Sequence, residues 1–530
     1  MKVWQAVSGK FRGTRRSPRA RQSRVQSAGL NAFSERLPGV YLSLTVLLAL
    51  LGHAYLFAFP ALAIVFLSRA MFHATQWEWF TVAQHVLSSI LCMILSFTAT
   101  RIRPSAPDLQ QLRDTQAPKL FQLIEHVRTS YRAPHIAQVL VDDGLDVKLV
   151  RVPRSGYPIF FTYSLILGLP ALQLLSPLHF KGLLIRRLAQ AAGYNHPLLR
   201  WLAMWRDVGP ALLAACQDWR RAENIVIKLF FLWYAPLYDW WSTPAARLYE
   251  LHSDKHMMDS INDRDVAELL AAQLIARRYL KERYFPGLLT MARKRPNPPP
   301  IAYSGLDRLF NRYWSSVDAK QWLKQAFVST VRPGDTQPAL AKRLVEIGHY
   351  NPRLPSPLRQ AASRVLLKGS LKHVLAKQDG LWMRRILPQW RELHQAAKRE
   401  EQRLRALYER SRKQKLDLSD ARELASLVER CYGKAKAVPL YRRLLVNNPG
   451  DANISFAAGR FLLSVKDPQG VKALQRAMRL DPRFADPASS LIETFKAAQS
   501  SVPHDTGEVA GTPTGGQIIV TEVNEISELN

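Results

Sequence analysis

The chain has 530 residues, which is too many for one ordinary hydrophobic core, so we expect two or three domains. Apolar residues make up 47% and charged residues 22% of the sequence, which excludes a wholly disordered protein. Lys and Arg outnumber Asp and Glu by 74 to 42, for a formal charge of +32. This excess indicates a polyanionic neighbour, either nucleic acid or an anionic membrane. The three cysteines form no CxxC pair, so neither a disulfide framework nor a cysteine-built zinc site is indicated.

Residues 1–37 form a basic arm with nine Lys or Arg and one Glu. We expect this arm to lie on anionic lipid headgroups, where each basic residue contributes about 1 kcal/mol. A nucleic-acid-binding arm is the alternative, but few aromatic side chains are interleaved with the basic ones. A lipid bilayer is therefore the expected partner, and nucleic acid is not.

Two uncharged stretches follow, residues 39–67 and 80–100, with lengths of 29 and 21 residues. Each is long enough to cross the hydrocarbon core, and Pro60 predicts a tilt or kink in the first. A cleaved signal peptide is the rival explanation for the first stretch, but the apolar run is too long for one. We expect a transmembrane hairpin over residues 38–101, joined by a turn from Ser68 to Trp79. Basic residues before the first span and after the second place both termini and the soluble domains in the cytoplasm.

A soluble domain is expected over residues 102–350. The sequence predicts an amphipathic helix from Asp108 to Ser130 and β-strands over Ile136–Val141 and Tyr157–Leu169, with mostly helical structure from His179 onward. The aromatic segment Ile225–Trp241 is too interrupted by charge to span a bilayer. It suits either the membrane interface or a buried core helix.

The C-terminal part divides into connecting helices over residues 351–414, helical repeats over 415–499 and a disordered acidic tail over 500–530. Ala437, Tyr441, Leu444 and Pro449 have spacings that Gly470, Leu474, Ala477 and Pro482 reproduce 33 residues later. This pattern resembles tetratricopeptide repeats, whose stacked helix pairs bind proteins or peptides, and a capping helix is expected over Pro487–Ala498. A generic helical bundle is the alternative. The predicted fold class is mainly α (α+β), with an N-terminal hairpin, a helical domain containing a small β-sheet and a C-terminal repeat module.

Within residues 40–350, three segments occur in a characteristic order: a strand followed by a helix, a later helix with two carboxylates, and a loop followed by an arginine. They are Leu165–Pro170 with Leu175-Ser176-Pro177 and the helix to Gln190, then Glu250 with Asp254, then Asp335-Thr336-Gln337-Pro338 with Arg343. This order resembles the membrane zinc metallopeptidases of the HtpX-like and CAAX-prenyl-endopeptidase family. The resemblance implies a membrane hairpin, a strand edge for substrate, a helix with HExxH, a helix with ExxxD and a Thr-His-Pro loop with a downstream Arg.

The resemblance also implies that the zinc chemistry is lost. HExxH places two histidines on one helix face to hold Zn²⁺, with the Glu as general base. The aligned residues here are Arg186-Arg187-Leu188-Ala189-Gln190, and arginine offers no lone pair for a metal. Only the third ligand position, Glu250, and its neighbour Asp254 are retained. The residues Asp254, Gln337 and Arg343 would be neighbours of the former active site.

These losses lead to a specific structural prediction. We expect the guanidinium of Arg186 to take the former metal position and pair with Glu250, because a buried acid without a partner is costly. The alternative is that the arginines reach the headgroups and Glu250 is solvated. A relocated metal site at His252 and His256, or at His196, is a further alternative, since an i, i+4 histidine pair can bind zinc.

The sequence thus predicts a bacterial inner-membrane protein with a catalytically inactive metallopeptidase-like domain and no metal cofactor. It would act as a peptide- or protein-binding scaffold, through the repeats or by strand addition along Tyr157–Leu169, with Tyr157, Phe160 and Tyr163 as groove candidates. The alternative is a zinc-dependent membrane endopeptidase with non-standard ligands. A third interpretation, a membrane-tethered protein that binds nucleic acid, depends on the net charge alone.

Overall fold

A computed structural model describes residues 29–102, 109–193, 196–216, 225–314, 316–328, 335–349 and 354–500. The basic arm up to residue 28 and the acidic tail from residue 501 lie outside these ranges. Within them the chain is mainly helical with one small mixed β-sheet, which confirms the predicted fold class. The chain divides into two compact units, the first within Met1–Pro286 and Pro300–Leu381 and the second within Gly287–Pro299 and Trp382–Asn530.

The first unit begins with an antiparallel hairpin of helices α1 (Pro38–Thr75) and α2 (Trp79–Arg101). Both are long and apolar enough to cross a membrane. The predicted turn from Ser68 to Trp79 is wrong in length: α1 continues to Thr75, and only three residues separate the helices. The hydroxyl of Ser89 donates to the carbonyl oxygen of Ala63 at 2.8 Å and ties the two helices together midway. Pro60 lies inside α1, which continues through it.

A four-stranded sheet follows, with strand order β1-β2-β4-β3. Its strands are β1 (Gln110–Leu112), β2 (Ile136–Asp142), β3 (Val147–Pro153) and β4 (Phe161–Gly168). Strand β4 pairs in parallel with β2 and antiparallel with β3, so it lies in the interior of the sheet. The expected helix from Asp108 to Ser130 is wrong at its start, because β1 pairs with β2 and helix α3 begins only at Pro118, a residue suited to the first turn of a helix.

The rest of the first unit is helical and packs around the sheet. Its helices are α4 (Leu169–Leu174), α5 (Pro177–Ala192), α6 (Pro197–Ala215), α7 (Ile225–Trp241), α8 (Thr243–Met258), α9 (Asp263–Tyr279), then α10 (Phe285–Thr290) at the boundary with the second unit, and α11 (Leu306–Tyr313), α12 (Val317–Val328), α13 (Leu340–Glu346) and α14 (Ala362–Leu366). A π-helical segment, Leu280–Tyr284, follows α9 directly.

Helix α7 contacts the first half of α1 along its length. Trp241 stacks on Tyr41 with ring centroids 5.9 Å apart, and Phe230 stacks on Tyr55 at 3.8 Å. Between them, the hydroxyl of Tyr234 donates to the carbonyl oxygen of Leu48 at 2.9 Å. One face of α7 is therefore a core face, while the opposite face exposes large apolar side chains (Leu229, Leu232, Trp233, Leu237 and Trp240). The core-helix interpretation thus describes the face of α7 that packs on α1, and the membrane-interface interpretation stays a prediction for the exposed face.

The long helix α15 (Leu371–Lys413) begins in the first unit and ends in the second. The second unit continues with α16 (Leu418–Tyr432), α17 (Lys434–Asn447), α18 (Ala452–Ser464), α19 (Gln469–Leu480) and α20 (Ala485–Ser500). The repeated small and large residues lie on the buried faces of α17 and α19, and the Asn-Pro and Asp-Pro pairs follow the ends of these helices. A helical-repeat arrangement is thus present, with α20 at the position expected for the capping helix.

Candidate functional site

The site forms between α5 and α8. Helix α5 begins where the hydroxyl of Ser176 accepts a hydrogen bond from the backbone N–H of His179, and Pro177 occupies the first helical position. Its buried face includes Gly182, where an added Cβ would lie 2.9 Å from Ile261 and 3.1 Å from Leu269. Glycine at this position thus allows α5 to pack closely against α9 and the turn before it.

Arg186 is completely buried and lies between the two acids of α8. Its Nη2 donates to Glu250, and its Nε lies 2.9 Å from Oδ1 of Asp254. The predicted pairing of Arg186 with Glu250 is therefore confirmed, and Asp254 is a second partner from the same helix face. Because Glu250 and Asp254 are four residues apart, one guanidinium contacts both.

Arg187 and Gln190 extend this arrangement along α5. Nη1 of Arg187 donates to Oε1 of Glu250 at 2.6 Å and to Oε1 of Gln190 at 2.7 Å. Its Nε donates to the carbonyl oxygen of Val147 at 2.8 Å, at the start of β3. Each carboxylate oxygen of Glu250 thus receives a hydrogen bond from a different arginine.

The remaining residues predicted as neighbours of the former active site also contact this group. Arg343 of α13 forms a bidentate pair with Asp254, at 2.7 Å from Nε and 2.9 Å from Nη2. Nε2 of Gln337 donates to Oδ2 of Asp146 at 2.9 Å, and Arg277 donates to Oε1 of Gln337. We refer to these residues as the arginine–carboxylate cluster: Arg186, Arg187, Arg277, Arg343, Asp146, Glu250, Asp254 and Gln337.

Four guanidinium groups face three carboxylates in the cluster, and this excess of positive charge controls its ionisation. Burial alone would raise the pKa of Glu250, but Arg187 and Arg186 outweigh it and lower that pKa to about 2. The pKa of Asp146 is likewise lowered, because three arginines overcome the effect of its burial. The pKa of Arg186 is raised by Asp254, Glu250 and Asp146 in spite of burial. All three groups are therefore charged at neutral pH.

These residues do not fit a zinc ion. The positions on the shared face of α5 carry Arg186 and Gln190, and a guanidinium has no lone pair to donate to a metal. Glu250 is engaged by two arginines, so its oxygens already have strong donors. The position that the resemblance assigns to the general base carries Arg187. The cluster can instead act as a charged clamp that joins α5, α8 and α13.

The histidines considered as a relocated metal site lie beside the cluster. The rings of His196 and His252 stack with centroids 3.9 Å apart, and a small pocket is lined by both of them together with His256, Tyr249 and Gln190. Among the residues that the structure describes, no group of three or more His, Cys, Asp or Glu side chains could hold a metal ion. Burial lowers the pKa of His252, which favours its neutral form.

The three groove candidates lie in different environments. Tyr157 precedes β4 and is buried against α1 and α2, Phe160 is 69% exposed, and Tyr163 lies in β4 itself. The expectation that Tyr157–Leu169 offers a free edge for an added strand is wrong, because β4 is paired on both sides. Strand addition needs unpaired backbone groups, which only an edge strand supplies.

Asp146, Arg277 and the contact of Arg187 with Glu250 are the parts of the cluster that sequence reasoning missed. Asp146 lies in a loop directly before β3 and belongs to no motif, so only the fold brings it to α5. No protein-family model matches this chain, and no curated protein and no solved structure is significantly similar to it. The family resemblance therefore depends on the motif residues alone.

Proposed function

We propose that this protein is a membrane-anchored, non-catalytic relative of the HtpX-like zinc metallopeptidases that acts as a peptide- or protein-binding scaffold. The observation that carries the proposal is the fully buried guanidinium of Arg186, which contacts Glu250 and Asp254 where the family would place its metal. Ion pairs at this position support a structural role for the faces of α5 and α8 that would carry the catalytic residues in the family.

The membrane part of the proposal is supported by α1 and α2, both of which are long and apolar enough to cross a bilayer. Most of their large apolar side chains are exposed, as expected for lipid-facing helices. The distribution of basic residues in the flanking sequence favours cytoplasmic termini. We place the protein in a bacterial inner membrane, with both termini and the soluble domains on the cytoplasmic side.

The binding part of the proposal is assigned to the helical repeats. Helices α16 to α19 form two pairs with the small-residue contacts of stacked repeats: an added Cβ at Gly470 would lie 2.7 Å from the carbonyl oxygen of Gly459. Stacked helix pairs of the tetratricopeptide type present extended surfaces to peptides. Because β4 has no free edge, these repeats are the better candidate for partner binding.

The decisive experiment rebuilds the lost motif. The triple substitution Arg186→His, Arg187→Glu and Gln190→His restores HExxH on α5 opposite Glu250. If the family assignment is right, the purified full-length variant binds close to one equivalent of zinc, while the unchanged protein binds less than about a tenth of an equivalent under the same conditions. Adding Glu250→Gln to the triple variant should remove most of this zinc, because the third ligand is lost.

Two outcomes would contradict the proposal. Failure of a folded triple variant to bind zinc would mean that α5 and α8 are not a degenerate zinc site, and the family assignment would fail. Near one equivalent of zinc in the unchanged protein would favour the alternative, an endopeptidase with non-standard ligands. Substituting His252 by Ala would then test whether the histidine pocket supplies them.

A further inference from the structure

The loop between β3 and β4, residues 154–160, is fixed against the membrane hairpin. The backbone N–H of Gly156 donates to the carbonyl oxygen of Ala99 in α2 at 3.0 Å. An added Cβ at Gly156 would lie 2.3 Å from the same oxygen, so only glycine allows this approach. The loop therefore sits against the last turn of α2.

Tyr157 reinforces this attachment. Its hydroxyl lies 2.8 Å from the hydroxyl of Ser96, and its ring lies 5.3 Å from the ring of Phe57 in α1. The residue is only 7% exposed. The loop thus contacts both helices of the hairpin, and its position relative to them is fixed by hydrogen bonds and ring packing.

The length of α2 determines where this contact lies in a bilayer. Its uncharged stretch, residues 80–100, has 21 residues and rises about 31 Å at 1.5 Å per residue. The hydrocarbon core is about 30 Å thick, so a spanning α2 has little freedom to slide. Ala99 then lies at the boundary of the core on the side of Arg101.

Beside this boundary the loop exposes two large apolar side chains, Ile159 at 55% and Phe160 at 69%. Arg154 is exposed at the base of the same loop, where its backbone N–H donates to the carbonyl oxygen of Phe160 at 2.9 Å. Apolar tips flanked by a basic residue suit the lipid interface, with the tips in the acyl region and the cation among anionic headgroups.

We propose that the tip of the β3–β4 loop, Ile159 and Phe160, inserts into the lipid leaflet beside the Arg101 end of α2. The occupant of this apolar patch is lipid rather than peptide. The loop thereby holds the sheet, and with it β3 and the adjoining arginine–carboxylate cluster, against the membrane surface. This inference rests on the proposed membrane anchoring by α1 and α2, but it assigns a second and separate lipid contact.

The test uses full-length protein reconstituted into vesicles of phosphatidylcholine and phosphatidylglycerol. Cys92 and Cys431 are replaced by Ala, and the buried Cys216 is left in place. Labelling this variant before any cysteine is introduced shows whether Cys216 reacts with the fluorophore. A single cysteine carrying the fluorophore NBD is introduced at Phe160, at Leu91 in the middle of α2, or at Lys119 on the exposed face of α3. Quenching by doxyl-labelled lipid is compared with quenching by aqueous iodide at each site.

We expect the label at 160 to be quenched by doxyl lipid like the label at 91, with a loss of iodide quenching, while 119 shows the reverse. If the label at position 91 is quenched by lipid but the label at position 160 behaves like the label at position 119, the proposed loop insertion is wrong and the membrane anchoring stands. If 91 is not quenched by lipid, the membrane anchoring fails and the inference fails with it.

Discussion

Replacing Arg186 by Leu should destabilise the first compact unit by about 3 kcal/mol. The substitution keeps a large side chain in the core but removes the only fully buried cation of the cluster. Glu250 would retain Arg187 and Asp254 would retain Arg343, so neither acid is left without a partner. This is why we expect the lower end of the 3–5 kcal/mol that breaking a buried ion pair usually costs.

The magnitude can be derived independently from Glu250. Its pKa is lowered from 4.5 to about 2 by Arg187 and Arg186, against the effect of burial, and each pKa unit corresponds to 1.36 kcal/mol. After the opposing effect of burial, the surrounding arginines thus leave a net stabilisation of the ionised acid of about 3 kcal/mol. Arg186 supplies part of this and also part of the interaction with Asp254, so the total effect of its removal is of the same size.

The assay is thermal unfolding of detergent-purified protein at one scan rate. A loss of about 3 kcal/mol should lower the apparent Tm by roughly 5 °C in a unit of this size. Arg186→Lys should have an intermediate effect, because the charge stays but the planar fork is lost. Arg264→Leu is the matched control, since Arg264 is 71% exposed on α9 and pairs only loosely with Glu268.

A double-mutant cycle with Glu250→Gln isolates the pair. Because the double variant removes both partners, it should be less destabilised than the sum of the single variants, with a coupling of about 1–3 kcal/mol. Equal Tm values for Arg186→Leu and Arg264→Leu would refute the reasoning. So would strict additivity in the cycle, because the buried contact would then contribute nothing to stability.

Three further predictions follow from individual contacts. The pKa of Glu250 is about 2 in the folded protein, below its usual 4.5, so the ionised acid stabilises the fold above about pH 4.5 and this stabilisation is lost as the pH falls to 2. The stability of Glu250→Gln should therefore depend less steeply on pH across that range than the stability of the unchanged protein, as measured by acid unfolding. Gly470→Ala should destabilise the repeats by about 1–3 kcal/mol, because the added Cβ would lie 2.7 Å from the carbonyl oxygen of Gly459. Gly450→Ala is the control, since no atom lies within 4 Å of its added Cβ, and urea unfolding measures the stability of both variants. Gly52→Leu should loosen the packing of α1 on α7, because an added Cβ at this position already lies 2.5 Å from the hydroxyl of Tyr234. Limited proteolysis should then cleave α7 faster than in the unchanged protein.

The sequence predicts helices well where a local pattern of residues determines them. The hairpin and the repeats follow from apolar length and periodicity. The pairing of Arg186 with Glu250 follows only from the family resemblance, which aligns Arg186 with a metal ligand. Strands β1 and β3 were missed, because three residues are too few for a pattern and the charged residues of β3, Lys148 and Arg151, are three apart, which breaks the period-two alternation of a strand. The assumed free edge of β4 failed for a different reason: the position of a strand in a sheet depends on partners that are distant in sequence.

Under the proposed relationship to the zinc metallopeptidases, the cluster suggests why the acids would persist while the ligand histidines would not. Zinc in a peptidase of this type would join α5 to α8 and neutralise an acid between them. Arg186 performs both tasks here, since it crosses from α5 to contact Glu250 and Asp254. Asp254 is also bound by Arg343 of α13, so it links α8 to α13 whatever lies at the centre. The acids and Arg343 thus contribute ion pairs between helices that need no metal, whereas the ligand histidines of such a peptidase serve only the metal. Loss of catalysis would therefore leave the residue pattern seen here: basic residues on α5 and the acids of α8 in place.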